Sequence, residues 1–182
     1  MLSTGNTTML VVDIQTRLLP SIHNHESLTQ KTAACISACQ LLNVPIIVLQ
    51  QYTKGLGPTV PALHTALGDY EPVEKITFSA CQTVEFVDKL KSHNNKNVIV
   101  TGIEAHICVQ TTVLELLAAG YNVYVAADCI GSRNENDQTY AEQRMRQAGA
   151  VITTLESILF ELLVSADHPM RKEITKLITS LE

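Results

Sequence analysis

Asp13, Lys75 and Cys108 are the residues of this chain whose types and surroundings combine into a chemistry. Asp13 follows the apolar run Met9-Leu10-Val11-Val12, and Cys108 comes shortly after Val98-Ile99-Val100-Thr101-Gly102. Lys75 lies in Glu74-Lys75-Ile76-Thr77-Phe78-Ser79, between a long loop and the next helical pattern. In an open parallel sheet the ligand pocket lies beyond the carboxyl ends of the strands, where such polar residues fall. A thiol in the first turn of a helix feels the positive end of the helix dipole, and a nearby ammonium lowers its pKa further. Cys108 is therefore expected as a thiolate at neutral pH and as a nucleophile. A carboxylate beside it can take the thiol proton and later activate water, while a lysine holds the charged pair in place. Taken singly, the same residues are ordinary: an Asp after a strand caps a helix, a Lys in a loop is solvated, and a Cys behaves as a small hydrophobe.

The elements that must position them alternate in type. Met9 to Ile14, Val44 to Gln50, Asn97 to Ile103, Val123 to Ala127 and Val151 to Thr154 read as strands, being short, apolar and rich in β-branched residues. Ser27 to Leu42, Thr83 to Ser92, His106 to Ala119 and Asp137 to Ala148 carry a helical period, with Met170 to Leu181 an amphipathic terminal helix. Gly120 and Gly149 follow two of these helices, where a left-handed C-terminal cap favours glycine. Gln50 to Leu67 contains Gly55, Gly57, Pro58 and Pro61, which predicts a long loop with a short helix near its end. Strand and helix alternation with strands apolar on both faces predicts an α/β fold, a three-layer α/β/α sandwich with a mostly parallel, Rossmann-like sheet.

The chain has 182 residues, which predicts a single domain over 1–182. It has no apolar run long enough to span a bilayer and no basic start with a short apolar stretch, so a membrane partner and a signal peptide are not expected. A net charge of -5 with 13 scattered Lys and Arg residues argues against nucleic acid, which needs a clustered basic stripe. The five cysteines, at 35, 39, 81, 108 and 129, are odd in number and irregular in spacing, which suits free thiols in a cytoplasmic compartment. Cys81, six residues from Lys75, is the rival nucleophile. His23, His25, His93 and His168 read as surface groups, and His106 as a candidate pocket residue beside Cys108.

Val11-Val12-Asp13-Ile14-Gln15, Glu74-Lys75-Ile76-Thr77-Phe78-Ser79 and Val100-Thr101-Gly102-Ile103-Glu104-Ala105-His106-Ile107-Cys108-Val109 together resemble the isochorismatase-like cysteine hydrolases, in particular the isochorismatase domain-containing proteins. Further agreement lies in Gln51 to Val60, Arg144 to Ala150 and His168-Pro169. The resemblance implies Asp13, Lys75 and Cys108 as catalytic triad, the strand order 3-2-1-4-5-6, a cis Ile103-Glu104 peptide, and an oxyanion hole made by the backbone N-H groups of Glu104 and Cys108. It implies hydrolysis of a C-N bond in a small amide, ureide or imine through a thioester-like intermediate, in a homo-oligomer. Gln15, Gln51, Tyr52 and His106 are candidate pocket residues, and Leu56, Val60 and Leu63 hint at an apolar wall. The nicotinamidase branch holds a metal with an Asp-x-His pair and another His in the loop after the second strand, but here that loop contains only His64. No metal and no cofactor are therefore expected. Two alternatives stay open: vinyl-ether hydrolysis with Asp13 as proton donor, and an idle binding or scaffold protein that retains the pocket.

Overall fold

The computed structural model describes residues 1–181. Six parallel strands form one sheet: β1 (Thr7–Val12), β2 (Ile46–Gln51), β3 (Val73–Lys75), β4 (Asn97–Ile103), β5 (Asn122–Gly131) and β6 (Val151–Thr153), in the spatial order β3-β2-β1-β4-β5-β6. The expected order and the α/β sandwich are thus observed, and the only antiparallel pairing outside the strands is the single bridge Gln15 to Thr59 among the described residues.

Strand geometry explains why the strand sequences are apolar throughout. Successive side chains leave opposite faces of a strand. Met9, Val11 and Val48 enter one core with Ile99, while Leu10, Val12, Ile47, Leu49, Val98 and Val100 enter the other. The first core is covered by α1 (His25–Leu41), α3 (Pro61–Leu67), α7 (Leu155–Leu163) and α8 (Arg171–Thr179). The second is covered by α4 (Val84–Ser92), α5 (Gln110–Ala118) and α6 (Glu135–Gln147).

Several sequence expectations need correction. The loop after β2 holds a short α2 (Thr53–Leu56) before α3. The edge strand β3 is missing from the sequence reading because it is only Val-Glu-Lys, with its middle residue exposed. It exists because β2 templates it, with Leu49, Gln50 and Gln51 opposite Val73, Glu74 and Lys75. β5 runs on to Gly131 rather than stopping at Ala127, carried past the polar Asp128 by continued pairing with β4. The helix expected from His106 begins instead as a π-helical turn, Ala105–Val109, before α5 starts at Gln110. α7 also escaped the sequence reading; Thr154 opens it, its hydroxyl accepting from the Ser157 N-H at 3.4 Å.

Gly102 holds β4 against β1 at the point where the site begins. Its φ is +127°, and a Cβ there would lie 2.1 Å from the Val12 carbonyl oxygen and 2.7 Å from the Val12 nitrogen. The backbone of Val12, paired within the sheet, cannot move aside as a flexible side chain would. Gly102→Ala is expected to destabilise the fold by about 3 kcal/mol or more, read as a lower urea midpoint at unchanged m-value; an unchanged midpoint would show that β1 and β4 can separate freely here.

Candidate active site

The carboxyl ends of β1, β2, β3 and β4 deliver the site. Asp13 is the residue immediately after β1, in a left-handed conformation at φ +53°, one that Asp tolerates better than branched residues. Its N-H is tied to the Leu49 carbonyl at 3.2 Å. β3 places Lys75 opposite Gln51 in parallel register. Lys75 Nζ donates to Asp13 Oδ2 at 2.6 Å and to Gln51 Oε1 at 2.7 Å, with the Thr77 and Phe78 carbonyl oxygens each at 3.3 Å. Both members of the Lys75–Asp13 pair have side chains with 0% exposure. The other carboxylate oxygen, Asp13 Oδ1, is buried without a hydrogen-bond partner.

Asp13, Gln51, Glu104 and Cys108 line one cavity of about 150 Å³, whose remaining wall is Leu18, Leu56, Phe78 and Ile107. A larger hollow of about 360 Å³ lies on another part of the surface, beside Lys31 and Asp128, and no cysteine lines it. The Ile103-Glu104 peptide is cis. After it, the Glu104 carbonyl accepts from the Ile107 and Val109 N-H groups at 3.0 and 3.2 Å, which fixes the wide turn carrying Cys108. Such π turns recur at functional sites. Glu104 is not a solvated side chain: its Oε2 accepts from the Arg133 N-H at 3.2 Å and Nε at 3.0 Å. Losing both of these charge-assisted bonds should cost Glu104→Ala about 2 kcal/mol, measurable by chemical denaturation; no loss would mean that the Arg133 contact is idle.

The electrostatics overturn the resting thiolate. Burial pushes the Cys108 thiol up to about 12, the Asp13 charge pushes the same way, and the pull of Lys75 is too weak to reverse them. Cys108 therefore rests as a neutral thiol. The dipole argument fails because desolvation outweighs it where the residue is only 6% exposed. Asp13 is itself raised above the ordinary carboxylate range, first by burial, with Lys75 opposing and the neighbouring Cys108 thiol also lowering it.

The other candidates fall into two groups. Gln51 lines the cavity, with its amide bonded at both ends: Oε1 accepts from Lys75, and Nε2 donates one proton to the Ile76 carbonyl at 2.6 Å. Gln15 is a buried brace, donating to the Gln51 and Gly57 carbonyls and accepting from the Gln51 N-H. Tyr52 is half exposed, and its ring covers Gly55. His106 faces the junction of β5 and α6, with Nδ1 2.8 Å from Ser132 Oγ. Gln15, Tyr52 and His106 thus border the site without lining the cavity. Of the suggested apolar wall, Leu56 lines the cavity, whereas Val60 and Leu63 pack into the first core. The sequence reading missed Leu18, Phe78 and Ile107 as wall and Arg133 as the partner of Glu104. Phe78 carried one signal, being the single aromatic of the Glu74 to Ser79 segment.

Cys81 sits on a separate 3-10 turn, Ala80–Gln82, with Sγ 3.9 Å from the Thr112 carbonyl, and burial pushes its thiol up to about 11. It does not line the cavity. Cys35, Cys39 and Cys129 are wholly buried in the first core.

Compared with known families, residues 7–157 match the isochorismatase domain. The chain belongs to the isochorismatase family. Isochorismatase domain-containing protein 2 of Danio rerio is 38% identical over 97% of this chain and 89% of its own length. The MAR1 ribonuclease of Caenorhabditis elegans, also 38% identical, superposes with a TM-score of 0.93 over 98% of this isochorismatase-family chain and 92% of that one. The YcaC gene product of Escherichia coli, described as an octameric hydrolase of unknown specificity, is 25% identical with a TM-score of 0.86, covering 98% of this chain and 95% of that one. No group of three or more His, Cys, Asp or Glu side chains that could hold a metal gathers among the described residues, and no helix among them is long and apolar enough to cross a membrane.

Proposed function

We propose that this isochorismatase-family chain is a cysteine hydrolase of small amides, ureides or imines, with Cys108 as nucleophile, Asp13 as general base and acid, and Lys75 holding Asp13. One observation carries the reading: Asp13 Oδ2 is held by Lys75 while Oδ1 is buried, unpartnered and shares a cavity with Cys108. A buried acceptor left open beside a neutral thiol is a proton acceptor in waiting. Oδ1 takes the Sγ proton as Sγ adds to the substrate carbon, and the C=O electron pair moves to oxygen, resting on the Glu104 and Cys108 N-H groups. Collapse of that adduct expels the amine, which leaves with the proton from Asp13, and a thioester remains. Asp13 then takes a proton from water as its oxygen attacks, the C-S bond breaks, and the sulfur recovers its proton from Asp13. The sum is amide plus water giving acid plus amine.

Because the base has to be ionised and its pKa is raised, kcat/KM is expected to climb with pH along an acid limb above the ordinary carboxylate range. A flat profile down to pH 4 would remove Asp13 from the base role. The raised Asp13 also favours one second reading, protonation of a vinyl ether with the thiol as bystander. Incubation with a panel of small amides, ureides, imines and a vinyl ether, followed by intact mass, separates the two: the hydrolase reading expects an adduct on Cys108, whereas turnover without an adduct and unimpaired in Cys108→Ala supports the other. Ligand-induced stabilisation with no turnover of any member would favour an idle scaffold. A short RNA belongs in the panel because of the nematode neighbour's name, although the net charge of -5 disfavours it. Turnover is expected to survive EDTA, and loss restored by added zinc or manganese would overturn the metal-free mechanism. The likeness to the E. coli octamer supports a homo-oligomer, to be measured by light scattering.

A further inference from the structure

We infer that this site, on its reading as a Cys108 hydrolase, takes uncharged primary amides with a short apolar acyl chain and rejects those bearing a carboxylate. The cavity is about 150 Å³, the space of about five waters at roughly 30 Å³ each. Leu18, Leu56, Phe78 and Ile107 make its apolar wall, and Asp13, Gln51, Glu104 and Cys108 complete the lining. An acyl chain of a few carbons fills such a space and gains from burial.

No cationic side chain among the described residues lines the cavity. An ammonium has three protons, and Lys75 faces four acceptors: Asp13 Oδ2, Gln51 Oε1 and the Thr77 and Phe78 carbonyls. Arg133 gives its Nε to Glu104 and does not line the cavity. Arg17, next to the wall residue Leu18, donates to the Gly55 carbonyl at 2.9 Å. The Gln51 amide donates to Ile76 and accepts from Lys75. A substrate carboxylate would therefore enter beside Asp13 and Glu104, among apolar side chains, with no cationic side chain lining the cavity to receive it. Such a charge loses its water without replacement. What remains open is an acceptor, Asp13 Oδ1, and the complementary group is the N-H of an amide.

Butyramide and succinamate form a matched pair, the second carrying a carboxylate where the first has its terminal methyl. Two measurements are made: kcat/KM for each with the parent protein, and binding of each to Cys108→Ala by NMR titration of the Leu18 and Ile107 methyl groups. Butyramide is expected to lead succinamate by at least about 100-fold in both. Equal or better performance by succinamate in either measurement overturns the inference, as does failure of both compounds to bind. Preferential binding of butyramide without turnover of either compound upholds the selectivity of the cavity and overturns the hydrolase reading alone.

Discussion

Lys75→Met is expected to cost about 3 to 5 kcal/mol of stability at neutral pH and to abolish turnover, because it leaves the Asp13 carboxylate buried with no counter-charge. The pH dependence gives the effect a sign. Asp13 is raised in the folded state, first by burial and against the pull of Lys75. An acid raised on folding binds its proton more tightly in the fold, so its contribution is present below the unfolded pKa and is lost as pH rises through the folded pKa. Removing Lys75 takes away the opposing cause and widens the shift. The variant is therefore closest to the parent at acid pH and falls away as pH rises, and protonated Asp13 no longer serves as base. Urea midpoints at pH 5 and pH 8 read this directly. Adding Asp13→Asn to Lys75→Met is expected to recover stability at pH 8 without recovering activity, since it removes the stranded charge. A gap that does not change with pH, or a single variant as stable as the parent, would refute the ion-pair account.

Cys108→Ala is expected to lower kcat by a factor on the order of 10⁴ or more, while moving stability by only about 1 kcal/mol because one buried sulfur is lost. The neutral thiol adds a second expectation. With Cys108 pushed up to about 12 and Cys81 to about 11, neither is a standing thiolate at neutral pH. Preferential labelling of Cys108 then depends on proton transfer to Asp13 rather than on a preformed anion. Limited iodoacetamide treatment and peptide mapping should place the label that tracks lost activity on Cys108, and Asp13→Asn should erase that preference. Activity lost in step with Cys81 labelling would reassign the nucleophile.

The amino-acid sequence by itself determined the sheet and the two ends of the chemistry. Runs such as Leu10-Val11-Val12 and Val98-Ile99-Val100 are apolar at consecutive positions, and only a strand covered on both faces buries both sets of side chains. Asp13 and the turn leading to Cys108 follow those runs directly, so local order along the chain already places them at the carboxyl edge. Lys75 was legible as a motif residue but not as a buried one. Its strand is three residues long and exists through pairing with β2, and its partner Asp13 lies 62 residues away. Separations of 36, 29 and 26 residues likewise hid the brace role of Gln15, the Arg133 partner of Glu104 and the turn of His106 towards Ser132. The charge state of Cys108 was decided only by tertiary structure. Residue type and helix position indicate the dipole, but the degree of desolvation depends on how deeply the fold sets Cys108 into the second core, and at this site desolvation outweighs the attraction of Lys75.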